Sequence, residues 1–148
     1  MKKFFSIIIA LFSLNASSQI QNIAEKLGYE KDAKLLILHA DDIGVSHSVN
    51  QASFNGFTNN SITSGSIMVP CPWVKEVAEF SIKNPQFDLG LHLTLNAEWK
   101  NYKWNGILPS NEISSLLNEF DEFYDNTNDV DKNADPEEVR KELQAQID

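Results

Sequence analysis

The sequence predicts an α/β fold assembled from parallel βαβ units. Apolar runs of strand length recur at 35–40, 62–69 and 88–95, and a helical stretch separates each from the next. The first run ends in the pair Asp41–Asp42 and the third contains His92, groups that apolar strands seldom hold. The 148 residues are 42% hydrophobic and 22% charged, the balance of a globular chain with the length of one ordinary domain.

Taken in order, Lys2 and Lys3 lead into an apolar run over 4–14, followed by small and polar residues at 15–19. That is the layout of a signal peptide over 1–19. The run is shorter than the roughly 20 residues of a membrane span. The expectation is a leader cleaved between about Ala16 and Ile20, and a secreted or periplasmic protein with no stable membrane anchor. Residues 20–34 read as a lead-in.

The unbroken aliphatic run 35–40 reads as a buried strand. It ends at Asp41 and Asp42, and Gly44 breaks it. Residues 46–59 form a helix with Val49, Ala52, Phe54 and Phe57 as an approximate apolar face, stopped by Asn59-Asn60-Ser61. Residues 62–69 are the second strand, rich in β-branched and small side chains. Pro70 and Pro72 mark its exit into a helix over 73–83, since proline is tolerated in a first turn. Asn84-Pro85 stops that helix, and 88–95 is the third strand.

Residues 96–110 read as a loop holding Trp99, Tyr102 and Trp104. Helix is expected over 110–120 and a flexible polar connection over 125–134. Asp135 as N-cap, Pro136 as first helical residue and Glu138 three after the cap begin a final helix over 135–148. Three parallel strands are few for a complete domain, because a barrel of such units needs about eight to close. Residues 20–148 are therefore expected to be the N-terminal part of a longer domain whose C-terminal part is absent here, and to be inactive alone.

Charge and cysteine usage narrow the function. Residues 1–111 carry nine bases and nine acids, and 112–148 carry three against twelve, which gives the net charge of −9. That acidic end argues against nucleic acid, whose phosphates need the opposite sign. Cys71 is the only cysteine, so no internal disulfide and no cysteine-based zinc site is available. It reads as a small packed residue.

The chemistry lies at the strand ends. In parallel α/β proteins ligands sit at the C-terminal ends of the strands, where Asp41, Asp42 and His92 all fall. Adjacent carboxylates repel when both are ionised, and a bound cation removes that conflict. Carboxylate oxygen and imidazole nitrogen are ordinary ligands of a divalent cation. Because strand residues alternate faces, one aspartate is expected to hold a metal while the other takes a proton. The bland alternatives are a helix N-cap for the acids and a hydrogen-bonded core role for His92. His39 and His47 read as structural or supporting, and Asn50 as a support for the loop.

The stretches HADDIGVSHSVN (39–50), ITSGSIMVPCPW (62–73) and GLHLTL (90–95) resemble the YdjC-like carbohydrate deacetylases, the chitooligosaccharide deacetylase group. The similarity extends through NAEWKNYKWNGILPS (96–110) and PEEVRKELQAQID (136–148), covering roughly 34–148. The resemblance implies the N-terminal part of a distorted (β/α) barrel related to polysaccharide deacetylases. It implies a divalent metal, Mg²⁺ or Zn²⁺, held by an Asp and two His, and an acetylated oligosaccharide as substrate. Residue by residue, Asp42 matches the metal aspartate, His92 the first metal histidine and Asp41 the general base. The second histidine belongs to a motif beyond residue 148. Ile43 stands where most members have Phe, a difference of packing.

The expected reaction is hydrolysis of an N-acetyl group from an amino sugar, with Asp41 accepting the proton of the attacking water. Trp99 and Trp104 are candidate sugar-stacking residues, because sugars present apolar faces to amphipathic rings. Trp73 is a weaker candidate of the same kind. Ordinary packing is their competing role. The alternative functions are another metal-dependent barrel enzyme acting on sugars, and a non-catalytic sugar-binding relative.

Overall fold

The structure is a computed structural model that describes residues 22–148. The expected leader and its cleavage site lie outside the described residues. The chain divides into a unit ending at Leu36 and a second, Ile37–Asp148. The described part of the first holds one helical turn, α1 (Ile23–Lys26), whose first turn is closed by Asn22 Oδ1 accepting from the Ala24 N–H at 3.1 Å. Among the described residues, no helix is long and apolar enough to cross a membrane.

The second unit is a mixed α/β arrangement on a three-stranded parallel sheet in the order β1-β2-β3. The strands are β1 (His39–Ile43), β2 (Ser64–Ile67) and β3 (Leu89–Leu91), and the crossovers are α2 (His47–Thr58) and α3 (Val74–Lys83). Both helices pack on one face. Phe54 and Phe57 of α2 and Val77 of α3 bury with Ile43, and Phe80, Phe87, Ile67 and Leu89 close around them. Phe54 and Phe80 stack with centroids 3.8 Å apart. This bridge between the helices holds them at a fixed separation over the sheet.

A second cluster lies at the C-terminal side of the strands. It joins Val45, Met68 and Cys71 to Ala97, Trp104, Ile113, Leu116, Leu117 and Phe123. Irregular backbone therefore supplies much of the apolar packing around the site. α4 (Thr127–Asn133) and α5 (Pro136–Ile147) complete the unit.

Several sequence expectations need correction. The run 35–40 is not a buried strand: Ile37 is 74% exposed, and pairing geometry begins at His39. β1 is an edge strand, and its inward packing comes from Ala40, the last residue of that run, and Ile43 beyond it. Residues 110–120 form two 3₁₀ turns, Ser110–Glu112 and Ser114–Leu116, instead of an α-helix. Serine and asparagine compete there for backbone partners: the Ser115 hydroxyl accepts from the Asp135 N–H, and Asn118 Oδ1 accepts from the Phe120 N–H. The expected polar connection contains α4, which Asn126 caps by accepting from the Asp129 N–H at 3.0 Å. No residue of α4 is buried, so no apolar stripe announced it. The final helix starts as expected, with Asp135 Oδ1 accepting from the N–H groups of Glu137 and Glu138.

Gly44 turns the chain from β1 into α2. Its φ is +108°, and a Cβ there would stand 3.1 Å from the Met68 carbonyl oxygen. Gly44→Ala combines a disfavoured backbone with a backbone clash, and is expected to cost about 1–3 kcal/mol. Urea denaturation of the variant against the parent measures this; an unchanged midpoint would mean that the turn relaxes freely.

Candidate metal centre

The two aspartates sit on a bulge. Ala40 pairs with Gly65 and Ile43 with Ile67, so β1 advances three residues while β2 advances two. The extra residue breaks the ladder locally and bends the strand. Asp42 takes the left-handed backbone, φ 54°, which Asp tolerates better than most side chains. Exposure separates the two acids: Asp41 is exposed, Asp42 is half-buried, and among the described residues no hydrogen bond reaches the Asp41 carboxylate.

His92 arrives from the opposite edge of the sheet. It follows β3 directly, and its N–H donates to the Ile67 carbonyl at 2.8 Å, which continues the ladder by one residue. Its ring crosses the end of the central strand to Asp42. Nδ1 lies 3.3 Å from Asp42 Oδ1 and 3.4 Å from the Asp42 backbone nitrogen. The sequence placed both residues at one rim, and the structure brings them into contact.

The surroundings are electronegative. Burial pushes the Asp42 carboxyl above its usual range, Asp41 and Glu98 add to the rise, and His92 and the Trp99 indole oppose it. An ionised Asp42 is thus uncomfortable without a cation. Cys71 packs nearby, 1% exposed. Burial, reinforced by Asp42 and Glu98, pushes its thiol up to about 12, so it is a packed thiol and no nucleophile.

The donor set suits a divalent cation. Asp42 Oδ1 and His92 Nδ1, 3.3 Å apart, would offer a carboxylate oxygen and an imidazole nitrogen to such an ion. Among the described residues no group of three or more His, Cys, Asp or Glu that could hold a metal ion is found.

Asp42 also makes a pH prediction for the metal-free protein. Its folded pKa is raised above 3.8, so the folded state binds the proton more tightly than the unfolded chain. That stability is present at low pH and is lost as pH rises from 3.8 through the folded value. Asp42→Asn, which also tolerates φ > 0, is expected to be more stable than the metal-free parent near pH 7, with that advantage shrinking towards pH 3. Denaturation at the two pH values checks this; an equal difference at both would remove the burden assigned to Asp42.

A second layer fixes the loop after Asp42. Asn50 is fully buried on α2. Its Oδ1 accepts from the Gly44 N–H at 2.7 Å, and its amide donates to the Trp73 carbonyl at 3.1 Å and to Glu76 Oε2 at 2.8 Å. Glu76 also accepts from Gln51 and meets His47 Nδ1 at 2.8 Å. Burial alone would raise the Glu76 carboxyl, but the hydrogen bonds from Asn50, His47 and Gln51 outweigh it and hold the group below its usual range. Sequence reasoning missed Glu76, because an acid in a helix's first turn ordinarily signals only the dipole. His39 is tied by both ring nitrogens to Ser64 and Ser66, at 2.8 and 3.0 Å, and so is a strand-to-strand fastener.

The tryptophans separate. Trp99 is half-buried beside Asp42 and meets Tyr102 edge-on at 5.8 Å. Trp104 is 3% exposed and belongs to the second apolar cluster, so its ring packs inside instead of offering a stacking face. The stretch Tyr102-Lys103-Trp104 runs from exposed to buried, which turns Trp104 inward. Trp73 is 44% exposed, and its ring lies 5.2 Å from that of His47.

Comparison with known proteins follows the same residues. The family described as YdjC-like protein matches 35–148. A carbohydrate deacetylase of Thermus thermophilus is 34% identical over 126 residues, covering 85% of this chain and 42% of that protein. A chitooligosaccharide deacetylase of Yersinia enterocolitica is 34% identical over 62 residues, 42% of this chain and 24% of that protein. A crystal structure of a candidate cellobiose-phosphate cleavage protein from Enterococcus faecalis superposes with a TM-score of 0.65 at 29% identity, covering 75% of this chain and 41% of the other. The chain thus spans about two fifths of the length of the Thermus relative.

Proposed function

The chain belongs to the YdjC-like protein family, and on that premise we propose that it serves a metal-dependent carbohydrate deacetylase, a hydrolase that removes N-acetyl groups from amino-sugar oligosaccharides. The observation that carries the reading is the meeting of Asp42 and His92 at 3.3 Å over the C-terminal rim of the parallel sheet, with Asp41 free beside them. The deacetylase names of the relatives supply the reaction class. The parallel sheet with both helices on one face supports a distorted (β/α) barrel as the complete fold. The lysine-led apolar leader supports export to the periplasm or beyond.

Asp42 and His92 would hold the cation, magnesium or zinc. When bound, it supplies a Lewis acid and an acidified water. Asp41 accepts the proton as water attacks the acetyl carbonyl, and the C–N bond then breaks to release acetate and the amine, whose nitrogen takes up a proton. Its exposure leaves it within reach of solvent and substrate, and the bulge keeps it next to Asp42. Trp99, held by Tyr102, offers the sugar an aromatic surface at the edge of the site.

Acetate release from N-acetylated chitooligosaccharides by the complete gene product tests the proposal. Release is expected with zinc or magnesium, is abolished by a chelator and returns when metal is restored. Absence of acetate from every N-acetylated sugar tried with the metal-loaded protein, or release indifferent to the chelator, would overturn it.

A further inference from the structure

The last helix carries two polar residues that packing alone does not require. Glu142 and Gln146 lie four apart on one face of α5 and are 0% and 2% exposed. Gln146 Oε1 accepts from the Thr94 N–H at 3.0 Å, and its Nε2 donates to the Thr94 carbonyl at 2.8 Å. One side chain thus reads both polar groups of a single residue, as a neighbouring antiparallel strand would. The same Nε2 donates to Glu142 Oε1 at 2.8 Å. The Glu142 oxygens also accept from the N–H groups of Ile107 and Leu108, at 2.9 and 3.1 Å.

These contacts grip both ends of one loop. Thr94 lies two residues after His92, and Ile107 follows the loop that carries Glu98 and Trp99. Trp99 lies beside Asp42. Gly106 leaves room for the grip, since a Cβ there would stand 2.6 Å from Glu142 Oε2. Among the described residues no cation pairs with Glu142. A buried carboxylate satisfied only by neutral donors is a costly way to dock a helix, and apolar side chains of similar volume would dock it as well. What the pair adds is a fixed position for the loop.

We propose that Glu142 and Gln146 are positioning residues, which set His92 and the Trp99 loop against Asp42 and so tune the affinity of the site for its cation. This rests on the metal-dependent reading above. The test uses the complete gene product with zinc alone as the probe. Zinc affinity is measured by competition with a chromogenic chelator for the parent, Gln146→Met, Glu142→Gln and Val139→Ala. Val139 packs α5 against the second apolar cluster and makes none of the clasp's hydrogen bonds, so it reports simple helix loosening. Amide exchange at Thr94, Ile107 and Leu108 is followed in parallel.

Gln146→Met is expected to bind zinc about tenfold more weakly, the lower end of effects seen for groups that orient metal ligands, with faster exchange at Thr94. Glu142→Gln keeps the side-chain shape, and is expected to weaken zinc in the same direction with faster exchange at Ile107 or Leu108. Val139→Ala is expected to lose stability while keeping parental zinc affinity. Parental affinity in both clasp variants, or an equal loss in Val139→Ala, would overturn the positioning role and leave the metal site standing. If Gln146→Met does not fold, Glu142→Gln decides alone. A parent protein that binds no zinc would instead overturn the metal reading, and the positioning role with it.

Discussion

Asp41→Asn is expected to lower acetate release by about 10²–10⁴-fold, the usual worth of a general base, while metal content stays at the parental level. The asparagine keeps the shape of the side chain but cannot accept a proton from water at neutral pH. The separation of effects follows from the bulge. Asp42 turns towards His92, and Asp41 stays exposed with no hydrogen bond from a described residue. Loss of the Asp41 charge also relieves its repulsion of Asp42, so the Asp42 carboxyl should ionise more readily. Metal analysis and turnover on one preparation check both halves. Near-normal turnover with metal bound would remove Asp41 from the mechanism.

Asn50→Leu should be the most damaging change outside the site itself. The heavy-atom count and branching are conserved, but leucine leaves the Gly44 N–H and the Trp73 carbonyl without the partner that Asn50 provides. A buried polar group stripped of its partner costs about 1–3 kcal/mol, so the combined loss is expected to be about 3–5 kcal/mol. Glu76 also loses its strongest lowering contact, and its carboxyl should move back towards the ordinary range. Denaturation curves report the stability loss. A loss below about 1 kcal/mol would mean that water replaces the amide at little cost and that the loop after Asp42 is less tightly fixed than its hydrogen bonds suggest.

Much of the frame was legible in the residues. α2 ends within one residue of where Ser46 and Asn59-Asn60-Ser61 place it, and α5 begins where Asp135-Pro136 predicts, because caps and prolines act locally. The joining of Asp42 to His92 was legible for a different reason: parallel strands deliver their C-terminal ends to one rim whatever lies between them. The bulge was not legible. It depends on register against β2, and the left-handed backbone of Asp42 is set by that register instead of by local propensity. The aliphatic run before β1 was misread because periodicity reports apolarity and says nothing of whether a neighbour covers it. Trp104 was misread for a related cause, since an aromatic in a polar loop looks the same in sequence whether it faces a ligand or fills a core. The buried Glu142–Gln146 pair passed unnoticed within an acidic helix whose other charges are mostly solvated.

Whether Asp42 and His92, at the ends of β1 and β3, share one cation is tested most directly by zinc affinity measured across three forms of the complete gene product. The parent, Asp42→Ala and His92→Ala are each stripped of metal, checked for folding and titrated with zinc against a competing chelator. Each substitution removes one of the two proposed donors, so each is expected to weaken binding at least about 100-fold, above the range for groups that only orient ligands. Parental zinc affinity in either folded variant would show that Asp42 and His92 do not share an ion.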